Sequence, residues 1–238
     1  MVVKKGLIKL CVPILLSVLC LWAAITSYRY GSANLSYYRV SNILDEWQSS
    51  GDKQSLEQYQ LAKVIMQEVL IKHQGNPLYT STMAEVYEWG AIAGYEDTKT
   101  GLEQANEYYK ASLKLRPSWP VTWASLAMIK WRKQEFDDEL LYYLKQAHHY
   151  GPLKTEVHVI YAQLGLALYQ FNHPILINFK DEFYRHLALG LRNPKSRTLV
   201  IDAIKQNGLQ KQVCRWLRNE PEATLLMLKG CVKKVINS

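Results

Sequence analysis

Residues 105–117 read ANEYYKASLKLRP, and residues 140–152 read LLYYLKQAHHYGP. The two stretches align residue for residue at a fixed offset, and small or apolar residues recur at the same positions before the proline in each. The matched positions are Ala105, Tyr109, Ser112 and Pro117 in the first stretch, and Leu140, Leu144, Ala147 and Pro152 in the second. This pattern is typical of the second helix of a tetratricopeptide-like repeat, where small residues allow close helix crossings and proline stops the helix.

The intervening stretch WPVTWASLAMIKW predicts the first helix of the next pair. Trp123, Leu126 and Ala127 follow the large, leucine, small spacing of the repeat. Lys130 occupies the position where the repeat usually has an aromatic residue, and the neighbouring Trp131 could cover part of that surface. The stretch therefore predicts a helix that pairs with the one that follows it.

The sequence also predicts where these helices begin and end. Ser118 is the expected N-cap, and Pro120 suits the first turn, where its missing N–H has little effect. The acidic residues at 135–139 are interpreted as opening the next helix, where the helix dipole favours negative charge. His148 and His149 are interpreted as complementing the helix dipole at the C-terminal end of that helix, where positive charge is favoured.

The rest of the chain shows helical periodicity and no alternating run typical of a strand. The predicted fold is all-α: a tetratricopeptide-like α-solenoid of antiparallel helix pairs at 56–194, ending in basic C-terminal capping helices at 195–238. Further helices are predicted at 37–47, 56–73, 78–95, 102–116, 157–169, 175–191, 197–207, 210–217 and 223–236.

The N-terminal residues predict a membrane anchor. Residues 10–28, LCVPILLSVLCLWAAITSY, carry no charge and are just long enough to cross a hydrocarbon core of about 30 Å as a helix. Residues 1–9 contain three lysines, which predicts a cytoplasmic N-terminus and an exported domain. A cleaved signal peptide shares these features, but residues 23–27 offer only a poor cleavage site. A juxtamembrane helix and linker are expected at 29–55.

The formal net charge is +8, and the excess lies at the two ends of the chain. Residues 190–238 contain ten Lys or Arg against three Asp or Glu. Three interpretations stay open for this basic tail: contact with anionic lipid, contact with an acidic polymer such as a polysaccharide, or a solvated surface. Lys205, Lys211 and Arg215 are the residues to test. An exported domain is not expected to bind nucleic acid.

No motif in the chain calls for catalysis. The six histidines have no HExxH-type spacing and no cysteine at a zinc spacing, and no P-loop, GxGxxG or GxSxG motif is present. We therefore expect no enzyme, no metal and no cofactor. Cys214 and Cys231 lie on consecutive predicted helices and either form a disulfide in an oxidising compartment or remain two buried thiols.

The stretch SLKLRPSWPVTWASLAMIKWRKQEFDDEL, followed by QAHHYGP, resembles the VpsP-like family of bacterial polysaccharide biosynthesis proteins. The likeness centres on residues 116–123, with Leu126, Ala127 and the 151–152 stop, while Val121, Ser125 and Leu153 depart from it. The resemblance implies a periplasmic helical domain on a single-pass inner-membrane anchor. It also implies an accessory role in exopolysaccharide biosynthesis or export, through contacts with proteins of that machinery. A general envelope adaptor for secretion or cell-division assembly is the alternative, and direct binding of an acidic polysaccharide is a third.

Overall fold

The structure is a computed structural model that describes residues 2–50 and 55–221 together with Thr224, Leu228 and Cys231. Within these residues all regular secondary structure is helical, so the predicted all-α class is confirmed there, while the predicted helix at 223–236 lies outside the described residues apart from those three positions. The helices are α1 (Val2–Ser50), α2 (Leu56–Lys72), α3 (Pro77–Ala93), α4 (Thr98–Leu115), α5 (Pro120–Arg132), α6 (Asp138–Tyr150), α7 (Thr155–Gln170), α8 (Lys180–Arg192), α9 (Pro194–Gln206) and α10 (Gln210–Trp216), with a 3-10 helix (Pro174–Phe179) before α8.

The chain divides into two compact units, residues 1–108 (unit 1) and residues 109–238 (unit 2). In unit 1, the second half of α1 packs against α2, and α2 packs against α3. A capping box begins α2, in which the side chains of Ser55 and Gln58 each accept from the other residue's backbone N–H. The core contains residues from all three helices: Ala33, Val40, Leu44, Trp47, Tyr59, Ala62, Ile65, Met66, Val69, Tyr79, Met83 and Val86.

Helix α1 is continuous from the apolar segment into the core of unit 1. We expected a short helix at 37–47 after the membrane segment; these residues are helical, but they belong to α1 and do not form a helix of their own. Gly31 disfavours helix by only about 1 kcal/mol, and no proline follows it in α1. Packing on α2 outweighs this cost, because the buried side chains beyond Gly31 recur at helical spacing. They are Ala33, Val40, Leu44 and Trp47.

Helix α1 is also long and apolar enough to cross a membrane. From Val12 to Tyr28 its large apolar side chains are exposed; Trp22, for example, is 66% exposed and Leu21 is 63% exposed. The first buried residue is Ala33. The apolar half of α1 therefore has no partner among the described residues, in contrast to the half that follows.

In unit 2, α5 packs mainly on α6 and α7 on α8, and α7 also contacts α5 and α9. Helices α5, α7 and α9 end alike. A residue with positive φ follows each C-cap: Gln134 (57°), Asn172 (51°) and Gly208 (66°). The next N–H then donates to the carbonyl five residues earlier, as in Glu135 to Lys130, His173 to Leu168 and Leu209 to Ile204. One helix-end geometry thus recurs three times.

The N-cap of α5 is Trp119 and not the predicted Ser118, although Pro120 takes the first helical position as expected. The turn before α5 is closed by tryptophan instead of a hydroxyl. The Trp119 N–H donates to the Arg116 carbonyl, and the Arg116 guanidinium lies 3.6 Å from the centre of the Trp119 ring. Trp123 Nε1 donates to the Pro117 carbonyl at 2.7 Å. These contacts leave Ser118 exposed.

The single helix predicted at 175–191 is divided in two. Pro174 begins a 3-10 helix, and the chain turns at Phe179, whose φ of −141° is not helical, before α8 starts at Lys180. Phe179 is 4% exposed, so its burial fixes the turn. Asp181 and Glu182 then occupy the first turn of α8, which the helix dipole favours.

Candidate binding groove

Two adjoining depressions form a groove along α5, α7 and α9 in unit 2, with volumes of about 390 and 410 Å³. They share Trp131, Arg132 and Ala167. One is lined further by Met128, Gln163, Ala203, Gln206 and Asn207. The other is lined further by Gln134, Phe136, Leu168, Phe171 and His173. We call these residues together the groove.

The two ends of the groove differ in chemistry. One end carries the side-chain amides of Gln163, Gln206 and Asn207. The other is aromatic, and Phe171 at the C-cap of α7 is 79% exposed. No Asp or Glu is found among the lining residues just named. Amides can exchange hydrogen bonds with a peptide backbone, and exposed rings can bury an apolar side chain, so the groove suits a protein segment.

A buried lysine fixes the aromatic end of the groove. Lys130 is 5% exposed, and its Nζ lies 2.7 Å from Glu135 and 2.6 Å from Asp137. These two carboxylates flank Phe136, whose ring lies 4.6 Å from that of His173 in the wall of the groove. The ammonium group therefore holds both ends of the short loop that presents Phe136.

Glu139 is the third carboxylate on Lys130, at 3.2 Å. Burial lowers the pKa of Lys130, but the hydrogen bonds that its ammonium group donates to Asp137, Glu135 and Glu139 outweigh burial and raise this pKa above its ordinary value. The hydrogen bond from Lys130 holds the pKa of Glu135 below its usual range. Asp137 caps α6 through the Leu140 N–H, as predicted for the acidic run, but Glu135 lies before the helix and binds Lys130 instead.

Three histidines form a hydrogen-bonded chain between α6, α7 and α8. His148 Nδ1 lies 2.9 Å from His186 Nε2, and His186 Nδ1 lies 2.8 Å from His158 Nδ1. The His186 ring stacks on Tyr161 at 4.3 Å, and the Tyr161 hydroxyl donates to the Leu144 carbonyl. The interpretation of His148 as a residue that only complements the helix dipole was incomplete, because its ring faces the interior.

Burial is the main influence on the pKa values of these three histidines. It lowers the pKa of His186 to about 3, with further lowering by His158, His148 and Arg185. Burial also lowers the pKa of His158, although the nearby Glu156 opposes it. Burial, Arg185 and His149 lower the pKa of His148, against Glu182. The three histidine rings are therefore neutral near pH 7.

The histidine chain is not arranged as a metal site. His186 uses one ring nitrogen towards His148 and the other towards His158, so the three nitrogens do not converge on one point. No other group of three His, Cys, Asp or Glu residues in the described part of the chain is placed to hold a metal ion.

The repeat positions singled out in the sequence lie in the protein interior and not in the groove. Trp123 is half-buried, Pro117 is exposed and Pro152 is partly exposed. The remaining positions are buried: Ala105, Tyr109, Ser112, Leu126, Ala127, Leu140, Leu144 and Ala147. These residues set how closely the helices approach, and the groove uses the residues beside them.

Cys214 on α10 is joined to Cys231 by a disulfide, with the Cα atoms 5.5 Å apart. Trp216, on the same short helix, packs against Tyr169 at 4.6 Å and Phe183 at 5.7 Å between ring centres. The disulfide therefore fixes Cys231 to a helix that is itself packed on α7 and α8.

No protein-family model and no curated protein matches this chain. The resemblance to the VpsP-like family, carried by residues 112–152, therefore stays a prediction.

Proposed function

We propose that this chain is a single-pass membrane adaptor whose helical pairs form a tetratricopeptide-like solenoid and hold a segment of a partner protein. The observation that carries the proposal is the groove on α5, α7 and α9. It combines the exposed ring of Phe171 and the half-buried rings of Trp131 and Phe136 with side-chain amides that can hydrogen-bond to a peptide. The proposal assigns no reaction to the chain.

The partner segment is extended, with one large apolar side chain at the aromatic end of the groove. Phe171 and Trp131 provide apolar surface there, and Lys130 fixes the loop of Phe136 before any partner arrives. A wall that is already ordered loses less conformational entropy on binding. At the other end, the described residues offer Gln163 and Gln206 no hydrogen-bond partner, so their amides are available to a peptide backbone.

A photo-reactive phenylalanine analogue at position 171 tests the groove directly in cells. Ile177 is the matched control, because it is 78% exposed and does not line the groove, against 79% for Phe171. We expect an adduct to one partner protein from position 171, and none from position 177. Phe171→Asp should abolish co-purification of that partner while Ile177→Asp preserves it. Equal capture from both positions would remove the groove as the binding site.

The anchor is the apolar half of α1, and we propose that it crosses the bacterial inner membrane with the N-terminus in the cytoplasm. Three lysines before the apolar run support this orientation. The bond between Cys214 and Cys231 supports an oxidising compartment for the main domain, which suits the periplasm. A reporter enzyme active only in the periplasm, fused after Ser238, should be active; a stable but inactive fusion would place the domain in the cytoplasm.

Within this class, we propose an accessory role in exopolysaccharide biosynthesis or export, supported by the resemblance of residues 112–152 to the VpsP-like family. Partners captured through position 171 should then be subunits of polysaccharide synthesis or export machinery. Deleting the gene should lower extracellular polysaccharide, and an unchanged amount would remove this role. Capture of secretion or cell-division components would instead favour the general envelope adaptor.

The basic C-terminal region supports a second candidate, direct binding of an acidic polysaccharide. Lys205, Lys211 and Arg215 are all exposed on α9 and α10. Retention of the full chain on an acidic polysaccharide should then fall with rising salt. Retention that survives charge reversal at these three positions would exclude the tail as the binding surface.

A further inference from the structure

The turn between α2 and α3 lies beside α1 where the apolar segment ends. The Arg29 guanidinium donates to the Lys72 carbonyl at 3.3 Å, and the Tyr30 ring stacks on His73 at 3.9 Å. One turn further along α1, Asn34 accepts from the Tyr79 hydroxyl at 3.2 Å. Residues 71–79, which we call the α2–α3 turn, are therefore level with the first residues after Tyr28.

This level corresponds to the lipid headgroup layer if the apolar segment spans a membrane. That layer is about 5 to 8 Å thick on each side of the hydrocarbon core. Helical residues advance 1.5 Å each, so Arg29 and Tyr30 lie within about 3 Å of Tyr28 along the helix axis. Lys72 and His73 contact these two residues, and the α2–α3 turn is thereby brought to the same depth.

The side chains at this end of unit 1 match that environment. Ile71 is 67% exposed, Leu78 is 41% exposed and Tyr30 is 45% exposed. Arg29 and Lys72 supply positive charge, although Lys72 also lies 3.5 Å from Glu68. Amphipathic aromatic rings and basic side chains are the residues that membrane interfaces favour.

The sequence places few acidic residues near the same end of the unit. The sequence contains no Asp or Glu in residues 1–44 or in residues 69–84. The acidic residues nearest to this end on the three helices are Asp45, Glu68 and Glu85, and the charge of Glu68 is paired with Lys72. Carboxylates near anionic headgroups would be repelled, so this distribution favours contact with a negatively charged surface.

We propose that the α2–α3 turn is a membrane-contact surface, with Ile71 among the lipid headgroups and Arg29 and Lys72 facing lipid phosphates. The lipid belongs to the same bilayer that α1 crosses, so the inference rests on the proposed anchor. Unit 1 is then held at the membrane surface by two contacts, the continuous helix and the turn, and does not swing freely on a linker.

Spin-label accessibility in the full chain tests the depth of the turn. The chain is reconstituted in nanodiscs of phosphatidylethanolamine and phosphatidylglycerol, with Cys11→Ser and Cys20→Ser to leave only the paired cysteines. Single labels are placed through Ile71→Cys, Val64→Cys and Leu16→Cys. Val64 is the matched control: it is 53% exposed and lies two turns before Ile71 on the same face of α2, about 10 Å further from the membrane.

The expected result is an accessibility ratio of oxygen to a polar nickel complex that is severalfold higher at position 71 than at position 64, and highest at position 16. A label at position 71 that behaves like the label at 64, with position 16 in the hydrocarbon, would overturn the contact surface and leave the anchor intact. An aqueous label at position 16 would overturn both. Leu78→Cys repeats the test on α3, and an aqueous label there would also contradict the proposal.

Discussion

The Nδ1 atoms of His158 and His186 lie 2.8 Å apart in the interior of unit 2. One proton between them makes a hydrogen bond, and His186 shares a second proton with His148 on its other side. A further proton on the half-buried His148 keeps both hydrogen bonds, because His148 then donates to His186, which donates to His158. A second added proton turns one hydrogen bond into two facing N–H groups and places two positive charges among three adjacent rings. The three histidines together can therefore hold one extra proton but not two.

We predict that the hydrogen-bonded chain of His148, His158 and His186 makes the folded protein acid-sensitive. His158 and His186 have lower pKa values when folded than the 6.5 of an unfolded histidine. The unfolded state therefore binds more protons below pH 6.5, and the free energy of unfolding falls as the pH drops from 6.5 towards 3. At pH 5.5 each histidine that stays neutral in the folded state costs about 1.4 kcal/mol. Urea unfolding in mild detergent at pH 7.5 and 5.5 measures this loss.

His158→Asn is the informative variant, since the asparagine amide can replace Nδ1 towards His186 but does not titrate. It should reduce the loss between pH 7.5 and 5.5, by about 1.4 kcal/mol at most. His149→Asn, an exposed neighbour with only a small effect on the pKa of His148, should change the loss much less. Glu85 acts in the opposite direction, because burial and the nearby Glu88 and Asp45 raise its pKa to about 7. Its contribution cancels in the comparison of variants. Identical acid sensitivity in all three proteins would contradict the prediction.

Lys130→Met should destabilise unit 2 by about 2 kcal/mol, because the lysine makes three charge-assisted hydrogen bonds from a buried position. The loss is moderate because the three carboxylates are 37 to 50% exposed and return to water. Lys110→Met removes a contact to Glu139 at 3.3 Å from a side chain that is 39% exposed, and should cost less than about 0.5 kcal/mol. Chemical denaturation measures the free energy of unfolding of both variants. Equal losses would show that the buried position of Lys130 adds no stability.

Gly165→Ala should destabilise the protein by about 1 to 3 kcal/mol, because an added methyl group would overlap the Phe183 ring at the crossing of α7 and α8. The glycine is needed for space, since its backbone is ordinary helix. Phe183→Leu in the same chain should recover part of the loss by withdrawing ring atoms. Thermal unfolding of the single and double variants measures both effects. A double variant that loses the sum of the two single losses would contradict steric overlap.

Reduction of the disulfide between Cys214 and Cys231 should lower the stability of the C-terminal region by about 3 kcal/mol, as expected for a closed loop of this length. Maleimide should label neither cysteine until a reductant is added. The measurement is mass spectrometry of labelled protein, alongside melting with and without reductant. Cys214→Ser should melt at the temperature of the reduced protein. Rapid labelling of Cys214 or Cys231 in native protein isolated without reductant would contradict a formed disulfide in cells.

The helices of unit 2 could be predicted because their cause is local. The offset that brings residues 105–117 onto residues 140–152 reflects helical periodicity with stop signals, and α5, α6 and α7 begin and end within a few residues of the expected positions. Predictions that depended on one side chain did less well. Ser118 is not the N-cap of α5, because the Trp119 ring and backbone complete that turn instead.

Two features of the sequence indicate the candidate site. Lys130 at an aromatic position, followed by acidic residues five, seven and nine places later, indicates a buried ion-pair cluster. Phe171, just beyond a predicted helix, indicates an aromatic residue outside the core. The chain of His148, His158 and His186 had no such signal, since the spacings between these residues follow no local period.

The helical class, the apolar N-terminal segment and the helix pairs follow from the sequence alone, because periodicity and stop residues act within a few turns. The unbroken course of α1 into a core, the groove on α5, α7 and α9 and the meeting of three histidines are visible only in the folded protein. Such relationships depend on which faces of distant helices pack together, and packing is set by side-chain shape across the whole unit. Local preferences for helix can therefore be predicted from the sequence, whereas a site made of distant residues exists only once the chain has folded.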